Sequence, residues 1–516
     1  MTPAFATMVL AATAAVLALL VPFALHRSHL LRLSRRAPPA ATRTPVPEEA
    51  LPVVTVQLPV FNERHVVERL VDAACALDYP RERLEVQVLD DSTDDTTARA
   101  QASAAAWRER GVDVRVIRRG RRDGFKAGAL AHGVERARGE MFLVLDADFV
   151  PPPDLVRRLL PPFQDASVGM VQARWDHLNE DENGLTRAQA LLLDGHFFLE
   201  HGARYASGRF FNFNGTAGMW RRRCVEEAGG WRADTLTEDL DLSYRAQMAG
   251  WRFVFLEDVG VPAELPARVG ALEVQQRRWA QGGIQTARAV LPRLVCGPWP
   301  WRVKTEAVFH LCGHLAHPLT VLLGLLLFPS AVARRTLGLE RLLALDLALF
   351  AMATGPFLAF YATAARRRDR PWRLVLPGVL RTLSVGIGLS APVGRAVLRG
   401  LGRAGDPFVR TPKRGAAARA SYAGGGRVGD TTLELALGGI MVVYMTLAVT
   451  GGYWAQIPFL LLFASGWLGL GGRALLDGPT ARRPQSFAEK EHDDRAPQEE
   501  TRPEGLRPRA GLPVGA

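Results

Sequence analysis

The stretch MFLVLDADFV, residues 141–150, places two aspartates directly after a short apolar run. Residues 141–145 are all apolar, which is typical of a strand covered on both faces in a parallel sheet. In an open α/β sheet the ligand site lies beyond the carboxyl ends of the strands. Asp146 and Asp148 are therefore placed to hold a divalent cation against a phosphate, because Mg²⁺ and Mn²⁺ prefer oxygen ligands. A turn or a helix cap is the alternative role for this Asp-x-Asp.

Strands and helices alternate in the residues before this stretch. Strands are predicted at 53–58, 84–89 and 112–117, and amphipathic helices separate them. Strands that alternate with helices are joined by crossovers, so the sheet is predicted to be parallel. Neither a Gly-x-Gly-x-x-Gly fingerprint after the first strand nor a Walker-type phosphate loop occurs in the sequence, which argues against dinucleotide binding and ATP hydrolysis.

Long apolar runs flank this α/β region and predict a membrane protein. Residues 10–25 form one run, which we interpret as a retained helix because basic residues rather than a cleavage site follow it. A stretch at 374–398 contains two arginines and has basic loops on both sides, so we expect it to be interfacial or re-entrant. The remaining predicted spans are 306–328, 342–363, 433–450 and 453–473. Together with the N-terminal helix they give five crossings, which place the N-terminus outside and the α/β domain in the cytosol. A six-span arrangement, in which 374–398 also crosses, stays open.

The charge distribution indicates a membrane partner and excludes a nucleic-acid partner. The net charge is +12, but the arginines lie mainly at the edges of the apolar runs and in the loops between them. This distribution follows the positive-inside rule, and we expect the cell (inner) membrane as the location. The four cysteines have no metal-ligand spacing, which favours a reducing compartment.

Polar residues after other predicted strands are further candidates for the site. Asp90 and Asp91 are placed to accept hydrogen bonds from a base or a ribose, although an acid here can also begin the next helix. Lys126 begins a predicted helix, where an anionic ligand would favour its charge; a solvated lysine is the alternative. The segment Phe210–Gly218 carries aromatic and amide side chains, as a sugar site or a packed loop would.

Two patterns lie between this segment and the C-terminal apolar runs. Thr237, Glu238 and Asp239 read as a helix N-cap followed by first-turn acids. The residues QQRRW, Gln275 to Trp279, are either interfacial anchors or a phosphate-binding helix face, because Gln275 and Arg278 lie three residues apart.

Taken together, these motifs resemble the processive family 2 glycosyltransferases of the cellulose synthase superfamily. Four elements in this order carry the resemblance: Asp90-Asp91, Asp146-x-Asp148, Thr237-Glu238-Asp239 and Gln275-x-x-Arg278-Trp279. It is closest to the cellulose synthase-like branch of mannan and glucan synthases and extends over about residues 50–415. The sequence segments that carry this closer match are QLPVFNE, QVLDDSTDDT, FKAGAL, FNFNGTAG and FVRTPK.

The resemblance implies an α/β GT-A domain with a mostly parallel sheet, inserted between transmembrane helices. It implies that Asp239, with Glu238 beside it, is the general base, and that Asp148 and Asp146 bind Mg²⁺ or Mn²⁺. A gating loop is implied at Phe408, Thr411 and Lys413, in which Arg410 replaces a valine of the family pattern. The implied donor ligands are Asp90, Asp91, Lys126, Asp146, Gln275 and Arg278, and the implied acceptor ligands are Trp279, Asn214, Gly215 and Thr216.

The expected activity is inverting transfer of hexosyl units from GDP-mannose or UDP-glucose to a growing β-linked polysaccharide. One base and no candidate nucleophile predict a single displacement. A single-transfer enzyme that makes a glycolipid, and a non-catalytic membrane scaffold or transporter, are the alternatives. The predicted organisation is a membrane helix at 1–30, a Pro-rich linker at 31–50, the GT-A domain at 51–295, a membrane domain at 296–476 with the gating loop at 403–415, and a disordered tail at 477–516.

Overall fold

The polar half of the chain folds around one seven-stranded sheet. The structure, a computed structural model, describes residues 1–39, 41–339, 343–402, 410, 411, 413 and 428–477. The sheet order is β3-β2-β1-β4-β6-β5-β7. The strands are β1 (Val54–Val60), β2 (Leu84–Asp90), β3 (Asp113–Arg118), β4 (Met141–Val144), β5 (Val168–His177), β6 (Gly218–Arg221) and β7 (Arg252–Ala263).

The N-terminal four strands form the predicted parallel unit. β1 pairs in parallel with both β2 and β4, and β2 pairs in parallel with β3. Every residue of β2 and β4 is buried, as expected for strands covered on both faces. The carboxyl ends of β1, β2 and β4 consequently meet at one edge of the sheet.

Neither β6 nor β7 is among the strands predicted from the sequence. β6 is only four residues long and runs antiparallel between β4 and β5. β7 pairs in parallel with β5, with register shifts along the pair. The antiparallel strand makes the sheet mixed, and it brings the loop before Gly218 to the edge where β4 ends.

Helices cover the sheet and continue into an apolar bundle. A π-helix, Gly195–His201, joins α6 to α7. The helices of the α/β region are α2 (Val67–Cys75), α3 (Thr96–Glu109), α4 (Phe125–Arg136), α5 (Leu155–Leu159), α6 (Gly184–Asp194), α7 (Gly202–Ala206), α8 (Arg222–Glu227), α9 (Glu238–Met248) and α10 (Val269–Cys296). Those at the two ends of the chain are α1 (Pro3–Leu33), α11 (Trp301–Cys312), α12 (Ala316–Thr336), α13 (Leu343–Arg367), α14 (Trp372–Leu401), α15 (Val428–Gly451) and α16 (Ile457–Leu476).

Five helical segments in the described part of the chain are long and apolar enough to cross a bilayer. α14 is one of them, so length and composition give no reason to separate it from the others; its interfacial position stays a prediction. α13 begins at the expected span 342–363 and extends beyond it. The five segments are Pro3–Leu33, Trp301–Thr336, Trp372–Leu401, Gly429–Gly451 and Trp454–Leu476. These lengths and compositions indicate a membrane protein.

Buried ion pairs join the α/β region to the apolar helices. Glu306 of α11 accepts a hydrogen bond from Nε of Arg204 at 2.9 Å and lies 3.0 Å from Nε2 of His26. Arg204 and Glu306 are both almost fully buried. Arg27 of α1 donates to Glu200 of the π-helix at 3.3 Å. These contacts link α1, α11 and the helix that precedes the loop at residues 210–218.

Candidate active site

One cavity at the carboxyl ends of β1 and β4 contains most of the predicted site residues. Its volume is about 140 Å³. Elements from both halves of the chain form its walls, including α10 and residues 410, 411 and 413. The predicted residues that line it are Asp91, Lys126, Asp146, Asp148, Asn214, Gly215, Glu238, Asp239, Gln275, Arg278, Trp279, Thr411 and Lys413.

Two predicted ligands do not line the cavity. Asp90 is 1% exposed, and its carboxylate accepts hydrogen bonds from the Ser92 amide at 2.9 Å and the Thr97 hydroxyl at 2.6 Å. It therefore fixes the turn before α3, and only Asp91 of the pair is placed to meet a ligand. Thr216 is fully buried, and its hydroxyl accepts the amide N–H of Asp146 at 2.8 Å. Phe408, predicted for the gating loop, lies outside the described residues.

Lys126 links the strand carrying Asp146 to the loop before β6. Its ammonium donates to Asp146 at 2.6 Å and to the carbonyl oxygen of Gly215 at 2.8 Å. Glu238 lies 3.9 Å from the same nitrogen. Burial disfavours the charge, but the carboxylates of Asp146, Glu238 and Asp239 outweigh burial and hold the pKa of Lys126 above its usual value. Lys126 is therefore a charged part of the site rather than a solvated surface lysine.

Asp148 faces a cation supplied by a distant part of the chain. The Lys413 ammonium lies 2.6 Å from its Oδ2, and burial raises the pKa of Asp148 although Lys413 opposes that rise. Oδ1 of Asp148 is buried without a hydrogen-bond donor among the described residues. A buried carboxylate with an open oxygen, next to Asp146, fits a divalent cation whose remaining ligands come from a diphosphate and water.

A second ion pair, between Arg410 and Glu63, lies beside Asp148. Glu63 was not predicted as a site residue. Arg410 lies 2.6 Å from Oε2 of Glu63, a residue in the turn after β1. Burial raises the pKa of Glu63 to about 7, and the charges of Arg410 and Lys413 moderate that rise. Glu63 occurs in the NE of QLPVFNE, immediately after a buried strand, and this position is the signal that would have found it.

Asp239 is the carboxyl group with the strongest reason to act as a base. It lies in the first turn of α9, and burial together with the charge of Glu238 raises the pKa of Asp239 to about 7. Oδ1 accepts the Leu240 amide at 2.9 Å. Because a carboxylate with this pKa exchanges its proton near neutral pH, Asp239 is suited to general base catalysis.

Gly215 allows the approach of Asp239 to Lys126. Its φ is +81°, and a Cβ on this residue would lie 3.0 Å from Oδ2 of Asp239 and 3.4 Å from the Lys126 ammonium. A larger residue would be strained and would displace the two charged groups. Gly215 therefore shapes the site through its backbone.

The helix α10 brings the QQRRW residues to the cavity from the side of the apolar helices. Gln275, Arg278 and Trp279 all line it, and the Arg278 charge acts against the raised pKa of Asp239. The rings of Trp279 and Trp175 lie 6.3 Å apart, and Phe149 contacts Trp175 edge-on at 5.3 Å. These rings form an aromatic wall. Trp175 was not predicted, although it follows the buried run of β5.

The opposite end of the cavity contains a cationic and aromatic group around Asp91. Arg119 donates to both oxygens of Asp91, at 3.0 and 2.5 Å. The Arg122 guanidinium lies 3.4 Å from the centre of the Phe61 ring, and burial lowers the pKa of Arg122 to about 10. Planar groups of this kind suit a nucleobase or a phosphate. The basic run GRRDGFK before α4 was the available signal for Arg122.

Asn214 is held by the π-helix and is a fixed part of the wall. Its Oδ1 lies 3.0 Å from Nε2 of His196, and its Nδ2 lies 3.0 Å from Nε2 of His201. His201 is fully buried, and burial keeps the pKa of its imidazole well below the usual value. Nε2 of His201 also lies 2.9 Å from the carbonyl oxygen of Asn212, so the two histidines hold Asn214 against the backbone of its own loop.

Comparison with known proteins identifies the class to which this arrangement is similar. The model of a family described as Glycosyltransferase like family 2 matches residues 52–282. Glucomannan 4-beta-mannosyltransferase 2 of Arabidopsis thaliana is 43% identical over 249 residues, 47% of this chain and 47% of the relative. Glucomannan 4-beta-mannosyltransferase 1 of rice, Oryza sativa subsp. japonica, is 41% identical over 278 residues, 51% of this chain and 53% of the relative. The chain thus matches about half the length of these curated relatives.

A solved structure is similar in fold to the larger part of this chain. The mannosyltransferase PcManGT from Pyrobaculum calidifontis, determined with GDP-Man and Mn²⁺, has a TM-score of 0.51 and 24% identity. The similarity covers 71% of this chain and 99% of that one. At this identity it supports the GT-A fold class.

Proposed function

Since this chain belongs to the family 2 glycosyltransferases, in the cellulose synthase-like mannan branch, we propose that it polymerises mannosyl units from GDP-mannose into a β-linked mannan or glucomannan. One observation carries the proposal: Asp148, Asp239 and Arg278, far apart in the sequence, line the same cavity. Mannose is favoured over glucose because the curated relatives are named as mannosyltransferases. The proposed setting is the cell membrane, with this cavity on the cytosolic side.

The donor lies across the carboxyl edge of the sheet in this proposal. The nucleoside occupies the end with Asp91 and Arg122, where a carboxylate, a guanidinium and the Phe61 ring offer hydrogen bonds and a flat face. Lys126 and Arg278 neutralise charge that develops on the diphosphate as the anomeric bond breaks. Both cations line the same cavity as Asp146.

Asp146 and Asp148 are the residues that would hold Mg²⁺ or Mn²⁺. The open oxygen of Asp148 is the structural support for this role, and the solved mannosyltransferase of similar fold carries Mn²⁺ with its nucleotide sugar. When bound, the cation would supply Lewis-acid stabilisation of the leaving diphosphate. The chain's own residues position the donor so that its anomeric carbon faces α9.

Asp239 takes the proton of the acceptor hydroxyl during attack. A sugar hydroxyl is a weak nucleophile, so a carboxylate must accept its proton in the transition state. Asp239 attacks no carbon itself, and the reaction is a single displacement. An α-linked donor therefore yields a β-linked product.

The aromatic wall holds the end of the growing chain. Trp279 and Trp175 present flat faces on which sugar rings pack, and Asn214 offers fixed hydrogen-bonding groups nearby. Trp279 lies on the same helix as Arg278, so acceptor and diphosphate are aligned by one rigid element.

Incorporation assays with the purified full chain test the proposal. The protein, in detergent or nanodiscs, is incubated with GDP-mannose, UDP-glucose, UDP-galactose or UDP-N-acetylglucosamine, with Mn²⁺, Mg²⁺ or EDTA. We expect long mannan chains from GDP-mannose that an endo-β-mannanase degrades, no product with EDTA, and at least about 100-fold less product with Asp239→Asn. Single-sugar lipid products would favour the glycolipid alternative. Turnover that persists in Asp239→Asn would contradict the assigned base.

A further inference from the structure

A second cavity lies where three apolar helices end next to the α/β domain. Its volume is about 1120 Å³, slightly above the roughly 300–1000 Å³ typical of ligand pockets. Ser34 at the end of α1, Arg367 at the end of α13 and Arg370 just before α14 all contribute to its lining. Trp372, the first residue of α14, is 67% exposed, as expected of an indole at a bilayer surface.

The linker after α1 forms one side of this cavity and is held by three contacts. Arg367 donates to the carbonyl oxygen of Ser34 at 3.1 Å, and the Tyr205 hydroxyl donates to that of Pro39 at 3.3 Å. Arg43 binds both oxygens of Asp258, at 3.0 and 3.1 Å. The cavity is therefore a fixed feature of the junction between the helices and the α/β domain.

Five of the seven arginines in the lining form ion pairs with described residues, and two do not. Seven arginines and five carboxylates line the cavity, which gives it an excess of two positive charges. Arg367 pairs with Glu257 at 2.9 Å, and Arg370 pairs with Glu180 at 2.5 Å. Arg35 and Arg36 are exposed, and neither forms an ion pair with any residue in the described part of the chain. These two side chains carry the charge that a ligand would neutralise.

The lining is also amphipathic. Phe198, Tyr205, Phe255 and Leu256 contribute to the lining, and each of these residues is buried. A small soluble anion needs only the cationic rim, whereas a phospholipid also offers glycerol and acyl carbons to an apolar surface. Basic pockets between membrane helices are established binding sites for anionic headgroups.

We propose that this cavity binds the phosphate of an anionic phospholipid headgroup, with Arg35 and Arg36 as the phosphate ligands. The bound lipid would lie at the membrane face nearest the α/β domain. The inference does not depend on the proposed reaction, because it uses only the helix ends and the charges around them.

Lipid binding by the delipidated full chain in detergent tests this site. Binding of dioleoyl phosphatidylglycerol and of dioleoyl phosphatidylcholine is measured by native mass spectrometry and by the shift in melting temperature. The test variant is Arg35→Gln with Arg36→Gln. The control is Arg32→Gln with Arg366→Gln, which removes the same charge from exposed arginines at the same helix ends but outside the cavity lining.

We expect phosphatidylglycerol to bind more tightly than phosphatidylcholine. The test variant should bind it about 30-fold more weakly, the loss expected for two charges at a membrane surface, while the control changes little. Equal weakening in both variants, or equal binding of the two lipids, would overturn the proposal. Glycerol 3-phosphate, which carries the phosphate without acyl chains, is the soluble competitor. If it displaces phosphatidylglycerol at an equal concentration, the cavity binds a soluble anion instead of a lipid. If the test variant is unstable, two measurements on the wild-type protein still test the proposal: the preference for phosphatidylglycerol over phosphatidylcholine, and the competition with glycerol 3-phosphate.

Discussion

The ammonium group of Lys413 lies 2.6 Å from Oδ2 of Asp148, the residue proposed to bind the catalytic cation. A lysine charge and a divalent cation cannot both occupy this carboxylate without strong repulsion. We therefore expect Lys413 to compete with the cation for Asp148.

Replacing this lysine should tighten binding of the cation alone. For Lys413→Met, which keeps the length of the side chain, we expect the Mn²⁺ affinity without donor to rise at least about tenfold. Electron paramagnetic resonance of free Mn²⁺ measures this. Lys304→Met, on α11 and outside the cavity, is the control. An unchanged Mn²⁺ affinity in Lys413→Met would show that the lysine does not compete.

Replacing the proposed base should separate turnover from donor binding. In Asp239→Asn we expect sugar transfer to fall by about 10²–10⁴-fold, because the amide cannot accept the acceptor's proton. GDP-mannose affinity should change little, since Asp239 faces the acceptor. Calorimetry and radiolabel incorporation measure the two quantities. Asp123→Asn, at a residue whose carboxylate is largely exposed, should change neither. If sugar transfer and GDP-mannose affinity fall together, Asp239 binds the donor and is not the base.

The same substitution should stabilise the protein at alkaline pH. Burial raises the pKa of Asp239 to about 7, so the folded state holds this proton more tightly than the unfolded chain does. The resulting stability is present at low pH and is lost as the pH rises from about 4 through 7. We therefore expect Asp239→Asn to melt at a higher temperature than wild type at pH 8, with a smaller difference at pH 5. Thermal unfolding at both values checks this.

Activity should depend on pH through the same group. A base must be unprotonated, so we expect kcat/KM for the donor, at fixed acceptor, to fall about tenfold per unit below pH 7. Glu63 also has a pKa of about 7 in this cavity, and it provides the comparison. Glu63→Gln should retain the acid limb if Asp239 causes it. If Glu63→Gln no longer loses activity below pH 7, Glu63 and not Asp239 is the group whose protonation stops the reaction.

The aromatic wall should affect chain elongation and not donor hydrolysis. Removing the ring in Trp175→Leu should weaken binding of a short mannan acceptor by about 0.5–1.5 kcal/mol. Acceptor KM and the length of products measure this, while hydrolysis of the nucleotide sugar should be unchanged. Trp107→Leu, at a ring on α3 that bonds to Asp72 away from the cavity, is the control. Reduced donor hydrolysis in Trp175→Leu would place the ring at the donor instead.

The buried pair between Arg204 and Glu306 should be necessary for stability. Glu306→Ala leaves the buried Arg204 guanidinium with only its longer, 3.6 Å contact to Glu200, and we expect a loss of about 3 kcal/mol. The melting temperature of the detergent-solubilised chain reports this loss. Glu135→Ala, at an exposed glutamate of α4, should have little effect. A Glu306→Ala variant as stable as wild type would mean that the pair does not hold the two regions together.

The parallel part of the fold was predictable because its signals are local. Asp146 and Asp148 follow an apolar strand, and the strand pattern alone places them at the carboxyl edge of the sheet. β6 gave no such signal, since a four-residue strand is too short for a periodic pattern and its pairing with β4 is set by distant residues. Similarity between sequences, rather than periodicity, identified the family.

The candidate site was predictable where a motif is a run of neighbours and not where it depends on packing. Glu238 and Asp239 begin a helix, as their capping pattern indicates, but only burial explains the raised pKa of Asp239. Asp90 and Asp91 are indistinguishable in the sequence; burial separates them, because Asp90 is enclosed beside Ser92 and Thr97 whereas Asp91 lines the cavity. Arg410 pairs with a residue more than three hundred positions earlier, and no local pattern contains that partnership.

The π-helix between α6 and α7 has a consequence for how this protein can evolve. Its wider turn sets the angular position of everything that follows, because one residue corresponds to about 100° of helix rotation. A π turn holds one more residue than an α turn, so deleting a single residue between Gly195 and His201 would let this segment become α-helical while Arg204 stays near Glu306 and His201 near Asn212. An inserted residue could not be absorbed in this way and would turn both side chains away from their partners, so we expect deletions here to be tolerated better than insertions.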